Sequence, residues 1–252
     1  MAKTEKIAAF LDKELRIDQF KDGSNNGLQV ANSGTVKRVC CGVDGSMAFF
    51  EAARELKADF LICHHGISWG NSLSMIDGMN YERIRFLMEN DMALYASHLP
   101  LDAHPIHGNN AQICAALGLK RRKPFGEYAG SMIGFRGELP KAESYTRFKA
   151  RVKKLVGQDI QSMDFGRKQI RSVAVISGGA SDGVKDAADS GVDVFITGEP
   201  KLEAYAVAQE LKMNAIFAGH YATETFGPRA LGCLVAKTFS VKQSFVDFGI
   251  PF

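Results

Sequence analysis

Residues of two chemical types recur at matching places along this chain. His64 and His65 stand side by side, His98 is followed four positions later by Asp102, and His220 is followed four positions later by Glu224. Imidazole nitrogens and carboxylate oxygens gathered in one neighbourhood suit zinc, manganese, iron or cobalt, whereas calcium takes oxygen ligands. The arrangement is also repeated. Residues 92–102 (MALYASHLPLD) lie over residues 214–224 (NAIFAGHYATE), with His98 on His220 and Asp102 on Glu224, and residues 36–65 lie over residues 170–199. Two copies of a His-x-x-x-carboxylate device inside two matching segments point to a duplicated metal-ligand arrangement.

Such side chains need elements that deliver them to one edge. His64 and His65 follow the apolar run Phe60–Cys63, His98 follows Ala93–Ala96 and His220 follows Ala215–Ala218; each run reads as a buried strand. In open α/β sheets ligands bind beyond the carboxyl ends of the strands, which is where all three would place their histidines. Strands at 36–43, 60–63 and 93–96 alternate with helices at 46–56, with Ser46 as N-cap, and 81–90. The second half repeats the order, with strands at 173–176, 194–197 and 215–218 and helices at 181–189 and 201–211. This alternation predicts βαβ units and mostly parallel sheets. Helices at 4–15, 110–117, 142–156 and 228–237, a short hairpin or edge strands within 128–139 and a last strand at 241–248 complete the pattern. The expected organisation is two pseudo-symmetric α/β lobes from an internal duplication. Residues 1–125 would carry the HHG and H-x-x-x-D segments, and residues 126–252 the T-G-E and H-x-x-x-E segments.

Length and composition bound the reading. A chain of 252 residues with 46% hydrophobic content can bury a sizeable core, and a formal charge of +3 does not argue for nucleic acid. The five cysteines (Cys40, Cys41, Cys63, Cys114, Cys233) form no C-x-x-C pair and read as buried free thiols of a reducing compartment. The first residues lack a long apolar run and no stretch approaches 18 apolar residues, so a cytoplasmic protein with no membrane partner is expected. Other motifs read as scaffolding. The turn 177–183 (SGGASDG) is expected to be a tight turn capped by Asp182, with a phosphate cradle as the alternative. Asn26-Gly27 is a turn signal, and His104 and His107 sit in a Pro/Gly-rich turn. The clusters Arg121–Lys123 and Arg151–Lys154 are solvated faces. The first half has an extra stretch around residues 67–78 that holds Trp69 and reads as a lid or as a surface loop.

The segments NNGLQV, HHG, SHLPLDAH followed by GNNAQICAALGL, DVFITGE and GHYATE, in this order, resemble the NIF-three-like family, also called GTP cyclohydrolase 1 type 2 homologs. The likeness spans nearly the whole chain. It implies a NIF-three-like fold in the short form, without an inserted middle domain, assembling as a toroidal homo-hexamer with a dinuclear metal centre in each subunit. Carried over by motif, the ligands would be His64, His65, Asp102, His220 and Glu224, holding two divalent transition-metal ions (Zn, Fe, Mn or Co). The segment SHLPLD departs from the T-H-x-N-L-D of many members, which touches a substrate-side contact and not the ligands. The family name implies a metal-dependent hydrolase acting on a small, nucleotide-like substrate, by opening of the GTP imidazole ring. His98 and Glu199, the overlay counterparts of His220 and His65, would then transfer protons. The competing expectation is a ring-shaped metal-binding scaffold, chaperone or metal carrier without turnover.

Overall fold

Apolar runs rich in Val, Ile, Phe and Leu, closed by turn residues, set the strand positions, and the amphipathic stretches between them become helices that cover the sheet faces. The computed structural model describes residues 1–252. The chain begins β1 (Ala2–Lys3), α1 (Thr4–Leu15), β2 (Gly27–Val30), β3 (Thr35–Val36), β4 (Arg38–Asp44), α2 (Met47–Glu55), β5 (Phe60–His65), α3 (Gly78–Glu89), β6 (Ala93–Ala96) and α4 (Leu99–Ala103). It continues with α5 (Asn109–Ala116), β7 (Lys120–Tyr128), β8 (Ser131–Ser144), α6 (Tyr145–Val156), β9 (Gln161–Asp164), β10 (Gln169–Val175), α7 (Gly183–Asp189) and β11 (Val194–Thr197). Last come α8 (Leu202–Glu210), β12 (Asn214–Phe217), α9 (His220–Glu224), α10 (Phe226–Phe239) and β13 (Lys242–Phe245).

Two compact units result. Unit 1 comprises Met1–Leu101 with Gly227–Phe248, and unit 2 comprises Asp102–Phe226 with Gly249–Phe252. The division therefore does not fall at residues 125/126. The last helix and strand return to unit 1 because β13 pairs parallel with β4, and Leu231 and Val235 of α10 join the unit 1 core.

In unit 1 the sheet order is β13-β4-β5-β6-β2, with only β2 antiparallel to its neighbour. Alternate residues of the central strands feed two cores. Val39, Cys41, Phe60, Ile62 and Tyr95 meet Ile7, Leu11 and Leu15 of α1 and the α10 residues. Cys40, Leu61, Cys63 and Leu94 meet Phe49, Phe50 and Ala53 of α2. A sheet covered on both faces accounts for the continuous apolar reading of β4 and β5. Ser46 caps α2 as expected, its hydroxyl accepting from the Phe49 N–H at 3.3 Å.

Unit 2 holds a six-stranded sheet of order β7-β8-β10-β11-β12-β9 in which β10, β11 and β12 are parallel. The expected short hairpin is a long one. β7 and β8 are joined by Ala129-Gly130, both at positive φ (50° and 85°), the requirement of a two-residue type I′ turn. The basic cluster Arg121–Lys123 lies on β7, an exposed edge strand, where charge blunts further pairing. Those charges hid the strand from a hydrophobicity reading.

The two parallel cores share their construction. Val39 pairs with Phe60 in unit 1 and Val173 with Val194 in unit 2, as the overlay requires. Before β5, Asp59 Oδ2 accepts the N–H of Lys37 (2.7 Å) and Arg38 (2.9 Å). Before β11, Asp193 Oδ2 accepts the N–H of Arg171 (2.9 Å) and Ser172 (2.9 Å). The third strand departs: Phe60 faces Ala93, but Val194 faces Asn214, one residue out of step with the overlay. Accordingly α4 starts one residue after His98, whereas α9 starts on His220. No helix is long and apolar enough to cross a membrane.

Candidate metal centre

In unit 1, β5 ends in His64 and His65, and His98 follows the neighbouring strand β6. One ring nitrogen from each lies within 4.8 Å of those of the other two, a group able to hold a metal ion. His64 is fully buried, while the His65 and His98 side chains are each 23% exposed. Each ring is tied back through Nδ1: His64 to the Ser97 carbonyl (2.9 Å), His65 to Asp44 Oδ1 (2.8 Å) and His98 to Asp22 Oδ1 (2.8 Å). A carbonyl or a carboxylate only accepts, so in the neutral ring the proton sits on Nδ1 and the lone pair on Nε2. That is the tautomer a metal-ligating imidazole needs, with the oriented outer partner such ligands have. Burial would raise the Asp22 carboxyl, but hydrogen bonds from His98, Asn26 and the Ser24 N–H overcome it and bring the pKa down to about 2. Asp22 is therefore an anion at neutral pH.

The stretch after the histidine pair supplies Trp69, whose ring lies 5.0 Å from that of His98 and 6.0 Å from that of His65. Its indole N–H donates to the Gly66 carbonyl (2.8 Å), which fixes the ring at the rim of the cluster. Beyond it Met75, Ile76 and Met79 are exposed.

In unit 2, His220 and Glu224 open and close α9 and share one helix face. His220 Nε2 lies 3.1 Å from Glu224 Oε1, and His220 Nδ1 lies 3.4 Å from Glu199 Oε2 beyond β11. The Glu224 hydrogen bond is the largest cause that raises the His220 pKa to about 9; burial opposes it, and the charges of Glu224 and Glu199 add to it. A proton and a metal ion would compete for this imidazole. Asp102 is buried in unit 2, its Oδ1 accepting from Asn109 Nδ2 (2.9 Å) and Ser177 Oγ (2.8 Å).

The turn 177–183 packs closely against Glu224. Gly178 has φ +69°, and a Cβ there would collide with Glu224 Oε1. The Gly178 N–H donates to Thr223 Oγ1 (3.0 Å) and the Ala180 N–H to Thr197 Oγ1 (3.1 Å), so these amides are engaged within the fold. The expected cap is also corrected: Asp182 has helical backbone angles (φ −62°, ψ −23°) and makes no side-chain cap, because the helical conformation points its carboxylate away from the α7 amides. The local reading of His104 agrees with the structure, where its Nδ1 accepts from the N–H of Ile106 (3.3 Å) and His107 (2.9 Å).

Sequence reasoning missed the two carboxylates behind the rings. Asp22 is one acidic residue of an ordinary turn, and Asp44 is matched in the overlay by Gly178, so neither carries a repeat signal.

The chain is 41% identical over 241 residues to the GTP cyclohydrolase 1 type 2 homolog of Archaeoglobus fulgidus, covering 96% of each protein. It is 40% identical over 244 residues to the protein of the same name from Deinococcus radiodurans, covering 97% of this chain and 92% of that one. Its fold is similar to the solved structure of protein ybgI, described as of unknown function, with a TM-score of 0.91 at 34% identity over 99% of this chain and 100% of that one. The family model Duf34/NIF3 (NGG1p interacting factor 3) matches residues 2–248, and the chain belongs to that family.

Proposed function

We propose that this protein binds two divalent transition-metal ions per chain and uses them to hydrolyse a small, nucleotide-like substrate. The observation that carries the reading is the trio of imidazoles, each with its Nδ1 tied to an acceptor, in which one ring nitrogen of each lies within 4.8 Å of those of the other two. The proposed ligands are those the family resemblance carries over by motif, His64, His65, Asp102, His220 and Glu224. The residue types fit the group: imidazole and carboxylate together suit Zn, Fe, Mn or Co. When bound, such ions supply Lewis-acid polarisation and acidify water.

The chain's own residues would do the rest. Asp44 orients His65, and Asn109 with Ser177 holds the Asp102 carboxylate. Glu199, 45% exposed and beside His220, is accessible to a proton carrier. With His98 it is assigned to proton transfer, and Trp69 gives the site an apolar rim against which a planar base can stack. The name of the curated relatives, GTP cyclohydrolase 1 type 2 homolog, supports a purine nucleotide as the first substrate to try. The protein is further read as a cytoplasmic homo-hexamer.

One observation favours a second role for His98, since its donor nitrogen lies as close to those of His64 and His65 as a further ligand would. Metal analysis paired with turnover separates the roles. His98→Ala that keeps its metal while the rate on GTP falls by about 10²–10⁴ fits proton transfer, and loss of metal moves His98 into the ligand set. Metal-loaded wild-type protein that turns over no nucleotide would instead support the carrier or scaffold reading.

A further inference from the structure

The segment Asp22–Gln29 (DGSNNGLQ) reads in sequence as a turn, yet its side chains reach His98 and the stretch just after His64 and His65. The Asp22 side chain is 3% exposed. Its Oδ1 accepts from His98 Nδ1 (2.8 Å) and the Ser24 N–H (3.0 Å), and its Oδ2 from the Leu99 N–H (3.0 Å) and Asn26 Nδ2 (2.9 Å). Asn26 in turn accepts the His98 N–H at its Oδ1 (2.8 Å), so His98 is gripped by ring and by backbone. Gln29 Oε1 accepts the N–H of Ile67 (2.8 Å) and Ser68 (3.1 Å) just after the HHG motif. Its amide lies where a Cβ on Gly66 would be, which explains the glycine. Asn25 Nδ2 adds bonds to Ser68 Oγ (2.7 Å) and the Gly70 carbonyl (2.9 Å). A turn built only to reverse the chain uses its Asx side chains locally, whereas these bonds tie together two strand ends that are distant in sequence.

We propose that Asp22 is a positioning residue that fixes His98 in the Nδ1–H tautomer, with Nε2 as the donor it presents, and that residues 22–29 form the frame holding His98 and the HHG loop in register. A carboxylate that already takes four N–H donors has no proton to give, so the ring proton must lie on Nδ1. Ordered acceptors of this kind pre-organise a donor set before any ion arrives. The functional meaning rests on the metal reading above; the tautomer does not.

The test uses the full chain. Long-range ¹H–¹⁵N spectra of the metal-free, ¹⁵N-histidine-labelled protein report the His98 tautomer, and titration with Co²⁺ reports affinity and the visible absorption of the bound ion. Wild type is expected to show His98 protonated at Nδ1. Asp22→Ala is expected to release the ring toward Nε2–H and to change the Co²⁺ spectrum, and, in the second role given above where His98 is a ligand, to weaken Co²⁺ binding by about 10–100-fold. Asp22→Asn keeps the shape and one acceptor oxygen, so it should lie between the two, and it carries the test if the alanine variant does not fold. Wild-type His98 protonated at Nε2, or a tautomer and Co²⁺ affinity unchanged in both variants, overturns the proposal. Absence of Co²⁺ binding by wild type with the tautomer change intact overturns the metal reading and leaves the role of Asp22 standing.

Discussion

At the end of β5 the chain places His64 and His65, with Asp44 of β4 behind His65; at the matching end of β11 it places Gly198 and Glu199, with Gly178 where the overlay sets Asp44. After the third strand both units have a histidine, but its company differs. His98 is held by Asp22, from a turn outside the repeat, while His220 is held by Glu224 of its own helix and by Glu199. Unit 1 thus gathers three imidazoles, each with an acceptor behind its Nδ1, and unit 2 gathers one imidazole between two carboxylates. The strand framework matches between the units and the edge chemistry differs. An Asp anchoring two strand amides tolerates no change of type without leaving donors unpaired, whereas a residue at the strand's carboxyl end has no ladder duty and is free to change.

The largest effect should come from removing a ring on either side of the comparison. His64→Ala and His220→Ala are each expected to weaken metal binding by roughly 100-fold or more, beyond the range seen for losing an outer partner. Elemental analysis of both variants reads this out; metal content that survives intact in one of them would confine the centre to the other unit.

The shared framework should respond alike in both units. Asp59→Ala and Asp193→Ala are each expected to cost about 1–3 kcal/mol, because each leaves two strand amides without their charged acceptor. Urea unfolding of the two variants measures it, and a cost in only one would show that the common geometry hides unequal energetics. Gly178→Ala tests the part that diverged. It should cost about 1–3 kcal/mol through left-handed backbone strain, with further disturbance of Glu224. Thermal melting together with metal content reads both effects.

The His220 pair predicts a smaller, pH-dependent term in the metal-free protein. Its folded pKa of about 9 lies above the ordinary value of 6.5, so the pair's contribution is fully present below pH 6.5 and is lost as the pH rises through about 9. His220→Gln should therefore lower the melting temperature more at about pH 6 than at about pH 9.5. Equal losses at both values would mean that the proton is not shared with Glu224. Smallest of all, a thiol reagent should label Cys233 quickly and the other four cysteines slowly. Cys233 is exposed, while burial pushes the Cys40 thiol to about 11 and that of Cys114 to about 12 and raises those of Cys41 and Cys63 as well. A quantitative labelling time course counts the fast thiols.

Much of this was legible in the residue string. The apolar runs at Phe60–Cys63 and Val194–Thr197 and the helical spacing of Thr4–Leu15 describe elements that pack by the same periodicity that reveals them. The edge strand β7 was not, since its Lys and Arg residues serve solubility at a sheet margin and suppress the strand signal. The return of β13 to β4 was hidden too, because nothing local records which sheet a last strand joins.

By itself the sequence determined that the chain is an α/β protein with two matching segments and with histidines and carboxylates at strand ends, because side-chain period and residue chemistry are local properties. Only the tertiary structure decided which groups stand behind the imidazoles. Asp22 lies 76 positions from His98 and Asp44 lies 21 from His65, and it is the parallel pairing of β4, β5 and β6, with β2 alongside, that brings each carboxylate to its ring. A proton's place on an imidazole depends on the nearest acceptor in space, and that is a fact of folding and not of spelling.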